Sequence, residues 1–176
     1  MDNTTLALKF EEEMKALGLS SEYIQTIINS GLNLSSIFEN IPRIDKDSKE
    51  MRSAEEVFDD FCGKVYSTYH ESLRIETILN DTLKTAEISE ETIKNFDIKK
   101  MSISLAITDI DPQFFAEKLK ELINKISMLS ETELKNKVAD SYEKIYKKTI
   151  DIAEGFSIKD FLFEFINNED INNINK

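Results

Sequence analysis

The chain is expected to be all-α, a multi-helix bundle built around one long acidic helix. Three observations carry this expectation. Apolar residues recur at steps of three and four through most of the sequence, which keeps them on one side of a helix. Residues suited to starting or stopping helices stand at the ends of those stretches: Gly18, Gly31, Asp111 with Pro112, Ser130 with Glu133, and Gly155. Only the segment 101–108 alternates with the two-residue period of a strand.

Leu6, Phe10, Met14 and Leu17 lie at helical spacing, with Gly18 placed as a left-handed cap. A second short helix is expected from Ser21 to about Asn29, stopping at Gly31, and a third turn from Ser35 to Asn40 ahead of Pro42. These make up a small three-helix module, residues 1–44. The spacing of Ala16 to Ser20, Tyr23 and Ile24, Ser30 to Asn33, and Ile37 with Phe38 resembles that of SAM-like and helix-hairpin-helix modules. The likeness covers a small part of the chain, carries no distinctive motif and assigns no family.

Residues 41–49 combine Pro42 with a dense mixture of charges and read as a hinge into a main helical bundle, 45–167. Its first helix is expected from about Asp47 to Glu87. Asp47 and Glu50 have capping-box spacing, and Met51, Ala54, Phe58, Phe61 and Val65 form the expected inner stripe. At about 100° per residue, Arg52, Glu56, Asp59, Gly63, Tyr66, His70 and Arg74 fall on the opposite face and should meet solvent or a partner. Ser72 and Glu76 interrupt the stripe before Leu79 and Leu83 resume it, so either the helix breaks near 72 or its buried face rotates there.

Ser89 caps a short helix through Phe96. In 101–108, Met101, Ile103, Leu105 and Ile107 alternate with Ser102, Ser104, Ala106 and Thr108, which fits an isolated strand or a buried helical segment. Either way the apolar side chains should be buried. Asp111 and Pro112 open a helix whose core face is Phe115, Leu119, Leu122, Ile123 and Ile126. Ser130 and Glu133 open another, with Leu134, Val138, Tyr142, Ile145 and Ile150 as apolar positions and Gly155 as its end. The last helix begins near Ser157. Phe161, Leu162, Phe165 and Ile166 are its expected inward face, which leaves Phe163 outside for a second chain. The polar, Asn-rich tail 168–176 is expected to be disordered.

Composition narrows the function. A net charge of −12 is unsuited to phosphate backbones, whose binding depends on Lys and Arg releasing counterions, so direct nucleic-acid binding is not expected. The lone Cys62 excludes an internal disulfide and reads as a small buried hydrophobe beside the inner stripe. No stretch approaches the roughly 18 apolar residues of a membrane span, and the first ten residues lack the pattern of a leader, so the expected location is cytoplasmic. The excess of Lys over Arg, with abundant Ile and Asn, suggests AT-rich coding sequence, as in a low-GC bacterium or its phage.

The lone His70 excludes chemistry that needs two imidazoles, and no Gly-rich phosphate loop or Ser-centred elbow occurs. Glu55, Glu56, Asp59 and Asp60 lie about one turn apart, close enough to share a divalent cation, while Glu76 and Asp81 would be a splayed second pair. Gly63 costs about 1 kcal/mol inside a helix relative to alanine, unless a partner backbone approaches there. The chain therefore reads as a non-enzymatic acidic protein acting by protein-protein binding: an inhibitor, immunity factor, adaptor or regulator that masks a basic surface, with a phage or mobile-element inhibitor as the sharper form. The expected partner-binding residues are Glu56, Asp59, Asp60, Gly63, Tyr66, His70 and Phe163, with no cofactor or metal. The alternatives are a magnesium-dependent all-helical nucleotide pyrophosphohydrolase, and a structural oligomer or homodimer joined through the C-terminal helix.

Overall fold

The computed structural model describes residues 1–147, 152 and 155–168, and these form nine helices and no strand. They are α1 (Asn3–Ala16), α2 (Ser21–Ile28), α3 (Leu34–Glu39), α4 (Ala54–Thr85), α5 (Glu90–Lys94), α6 (Ile98–Ala106), α7 (Pro112–Met128), α8 (Glu131–Tyr146) and α9 (Ile158–Asn168). The all-α expectation holds. Ile150 and the tail 169–176 lie outside the described residues.

The chain forms two compact units, Met1–Ile75 with Ser102–Asp109, and Glu76–Met101 with Ile110 onward. This differs from a boundary at residue 44. The physical reason is a shared core: Leu6, Phe10, Ile24, Ile27 and Ile37 of the first three helices bury together with Val57, Phe61, Val65 and Tyr69 of α4. Full burial of Phe10 or Phe61 stabilises by roughly 1.5 to 3 kcal/mol each, and short helices are marginal without such packing. Side-chain caps fix the ends. Asp2, Ser20 and Asn33 accept from the backbone N–H of Thr5, Tyr23 and Ser36. Gly18 and Gly31, at φ of +91° and +100°, turn the chain after α1 and α2.

The long helix begins seven residues later than expected. Residues 44–51 fold back as a short hairpin, joined by an Ile44–Met51 bridge and an Asp45 N–H bond to the Glu50 carbonyl at 2.9 Å. The Asp45 carboxylate accepts from the N–H groups of Asp47 and Ser48, which holds it below the usual carboxylate range. The capping box belongs to Ser53 and Glu56: the Ser53 hydroxyl accepts from Glu56 N–H at 3.2 Å, and the Glu56 carboxylate from Ser53 N–H at 3.3 Å. Met51 is consequently exposed. The buried stripe is Val57, Phe61, Val65, Thr68, Ser72, Ile75, Leu79 and Leu83. The helix does not break at Ser72, whose hydroxyl satisfies itself on the Tyr69 carbonyl at 2.6 Å inside the stripe.

The segment 101–108 is helical through Ala106. Asp97 caps α6 by accepting from Lys100 N–H, and Ile98, Met101, Ser102 and Leu105 are buried at helical spacing, whereas Ile107 is exposed. In the second unit, α7 buries Phe115, Ala116, Leu119 and Ile123 completely. The expected capping box of Ser130 and Glu133 is present, but α8 stops at Tyr146 on a left-handed Lys147 rather than at Gly155. Both α7 and α8 pack on α9. The Glu131 carboxylate accepts from the N–H groups of Ile158 and Lys159 and from the Ser157 hydroxyl, serving the α9 start from the first turn of α8.

Candidate functional site

Of the six α4 residues expected to bind a partner, three line one cleft, and Glu56, Asp60 and His70 are engaged elsewhere. Asp59, Gly63 and Tyr66 line a cleft of about 500 Å³ whose other wall is the end of α1, with Glu13, Met14 and Leu17, and the following Leu19. Cys62 forms part of its floor. The cleft lies entirely within the first unit, and among the described residues no lysine or arginine lines it. Glu13 also borders a second, larger cavity of about 830 Å³ around Met51, Ala54, Val57 and Phe58, whose lining includes Lys9, Arg43 and Arg52.

The carboxylates differ in what holds them. Glu56 is engaged in the capping box, and Asp60 pairs with Arg52, which also donates to the Pro42 carbonyl at 2.9 Å. Glu12, Glu13, Glu55 and Asp59 form no ion pair among the described residues. Burial first, then the negative charge of Glu13 and Asp59, pushes the Cys62 thiol up to about 12. The thiol is thus protonated at neutral pH, consistent with a packing role.

Gly63 has no internal reason to be glycine. A Cβ built there would meet no atom within 4 Å, and its φ is not in the left-handed region. His70 keeps the exposed position that helical spacing assigned to it, and it has a partner there. Its Nε2 is 2.5 Å from the Tyr23 hydroxyl of α2, its ring centroid is 4.4 Å from that of Tyr66, and Tyr69 approaches edge-on at 5.4 Å. Burial and a hydrogen bond with Tyr66 raise the Tyr23 phenol. Tyr66 belongs both to this four-ring cluster and to the lining of the cleft.

Phe163 belongs to a different place altogether. It is buried, 8% exposed, with its ring edge-to-face on Phe96 at 5.6 Å, and the phenylalanines left outside on α9 are Phe161 and Phe165. The inward face is Ile158, Phe163 and Ile166, at steps of five and three, and a helix apolar on nearly every side does not reveal this by periodicity. None of Glu13, Met14, Leu17 and Tyr23 was expected at the site, which they reach only through tertiary packing. Leu17 and Leu19 straddling Gly18 carry the one local signal, an apolar pair at a helix end.

Among the described residues, no three His, Cys, Asp or Glu side chains gather as a metal-binding set, and no helix is long and apolar enough to cross a membrane. No protein-family model, curated protein or solved structure matches this chain.

Proposed function

We propose that the protein acts by protein-protein contact, covering a basic surface of its partner as an inhibitor, immunity factor, adaptor or regulator in the cytoplasm. A phage or mobile-element inhibitor is the sharper form of this reading. The observation that carries it is the cleft between α1 and α4, where Glu13 and Asp59 flank apolar surface and form no ion pair among the described residues. Opposite charge would speed encounter, and apolar contacts at Leu17 and Tyr66 would slow dissociation. Surface carboxylates with structural duties are poor reporters of such a role, which removes Glu56 and Asp60 from the test. The informative variant is the double reversal Glu13→Lys with Asp59→Lys. In pull-downs from the native host, the wild type should retain a basic protein that the variant loses. Equal retention by both would contradict the proposal.

Phe161 and Phe165, 51% and 54% exposed and one turn apart, favour self-association through α9 as a second reading. Sedimentation of the wild type and of Phe161→Glu with Phe165→Glu tests it. A monomeric wild type at high micromolar concentration would exclude a homodimer.

A further inference from the structure

Resting on the reading above, we infer that the α1–α4 cleft is a helix-docking groove whose occupant is a cationic amphipathic helix of a partner protein, one apolar residue entering over Cys62 and Gly63 while Lys or Arg side chains pair with Glu13 and Asp59.

Shape selects a helix. The α4 residues that line the cleft run from Asp59 to Tyr66, about 10.5 Å at 1.5 Å per residue, or two turns of a docked helix. That is the length over which an amphipathic segment presents anchors at i, i+3, i+4 and i+7. An opening of about 500 Å³ admits one large apolar side chain with its neighbours, and its walls of Met14, Leu17 and Tyr66 are apolar at the level where such a residue would sit. Met14 and Leu17 are unbranched at Cβ and adaptable, which suits a groove that closes around an anchor.

Charge selects the sign of the occupant. Glu13 stands on the α1 wall and Asp59 on the α4 wall, so a basic residue on either shoulder of the incoming helix finds a carboxylate. A neutral or acidic helix would leave both charges desolvated and unpaired, a cost that disfavours it strongly. Their joint field already reaches the groove floor, where it acts on the Cys62 thiol.

Gly63 supplies the close approach. Its Cα stands on the groove side of α4 with open space where a Cβ would be, so a partner backbone can come nearer there than at any side-chain-bearing position. An alanine at 63 would strengthen the isolated helix, and the chain forgoes that gain at the point where the groove needs depth.

The probe is a synthetic Leu/Lys amphipathic peptide of about 18 residues, five helical turns. A scrambled peptide of the same composition and a Leu/Glu counterpart serve as comparisons. Binding to the full chain is followed by fluorescence anisotropy at physiological ionic strength, and its location by amide chemical shifts. The amphipathic basic peptide should bind and shift the amides around Glu13, Asp59 and Gly63, with the Leu/Glu peptide silent. Gly63→Phe fills the groove from an open position, and Glu13→Gln with Asp59→Asn removes its charge without changing shape. Each should weaken the basic amphipathic peptide about tenfold or more, about 1.4 kcal/mol, and leave the weak binding of the scrambled peptide unchanged. The neutralised variant decides the matter if Gly63→Phe fails to fold. Equal affinity for wild type and variants, or shifts confined to other faces, would overturn the groove while leaving the basic-partner reading standing. Failure of every basic peptide to bind would overturn both.

Discussion

Replacing Phe163 by alanine separates the buried face of α9 from its exposed face. Phe163 is 8% exposed and meets Phe96 edge-to-face at 5.6 Å, so its removal leaves a cavity and breaks an aromatic pair. Core Phe→Ala changes cost about 3 to 5 kcal/mol, of which the edge-to-face geometry contributes about 0.5 to 1.5. Phe161 and Phe165 keep half their surface in water, so their truncation should cost at most about 1.5 kcal/mol each. In a chain of this length each kcal/mol moves the midpoint by about 2 to 4 °C, which places Phe163→Ala about 6 to 20 °C below wild type. Circular-dichroism melts and urea midpoints of the three variants give the comparison, with sedimentation to follow association state. Phe163→Glu should unfold the second unit rather than release a monomer. A Phe163→Ala protein melting within a few degrees of wild type, beside a strongly destabilised Phe161→Ala, would refute the assignment of faces.

Ser53→Ala removes the hydroxyl that starts α4 and should cost about 1 kcal/mol, a drop of about 2 to 4 °C; an unchanged melt would place the helix start elsewhere. Leu105→Asp should destabilise by about 3 to 5 kcal/mol while Ile107→Asp stays within about 0.5, because helical spacing buries the first and exposes the second; comparable losses in urea titrations would restore the strand reading. The N–H groups of Lys159 and Ile158 and the Ser157 hydroxyl hold the Glu131 carboxyl below its ordinary value of 4.5. A carboxylate depressed in the folded state contributes stability that is present above its unfolded value and lost as pH falls through the folded one. The difference in urea midpoint between wild type and Glu131→Gln should therefore be largest above about pH 4.5 and shrink on acidification. A difference that is constant across that range would show that the contacts act through neutral hydrogen bonding alone.

Local signals carried much of the fold, and tertiary competition explains the rest. Gly18, the Asp111–Pro112 start and the Ser130–Glu133 box involve neighbours a few residues apart, so spacing alone locates them. The start of α4 offered two boxes of the same spacing, Asp47 with Glu50 and Ser53 with Glu56. The hairpin bond from Asp45 to Glu50 captured the backbone of the first and left the second to form. The wrong start also shifted the expected stripe toward Met51 and Ala54. Thr68 and Ser72 then concealed the true one, since both look polar in sequence and are buried in the fold, Ser72 with its hydroxyl bonded back to its own helix. At the site, Asp59, Gly63 and Tyr66 were legible as an outward strip of one helix. Their union with Glu13, Met14 and Leu17, and the capture of His70 by Tyr23, depend on where α1 and α2 pack, and no periodicity encodes that.

The central claim, that acidic residues of the α1–α4 cleft recognise a basic partner, is tested most directly by the association rate constant as a function of ionic strength. The partner recovered from the host is measured against wild type and against Glu13→Lys with Asp59→Lys. The wild-type rate should be fast at low salt and fall steeply as the Debye length contracts from about 30 Å at 0.01 M to about 8 Å at physiological strength, while the reversed variant should be slow and nearly flat. A wild-type rate indifferent to salt, or a variant that follows the same curve, would contradict it.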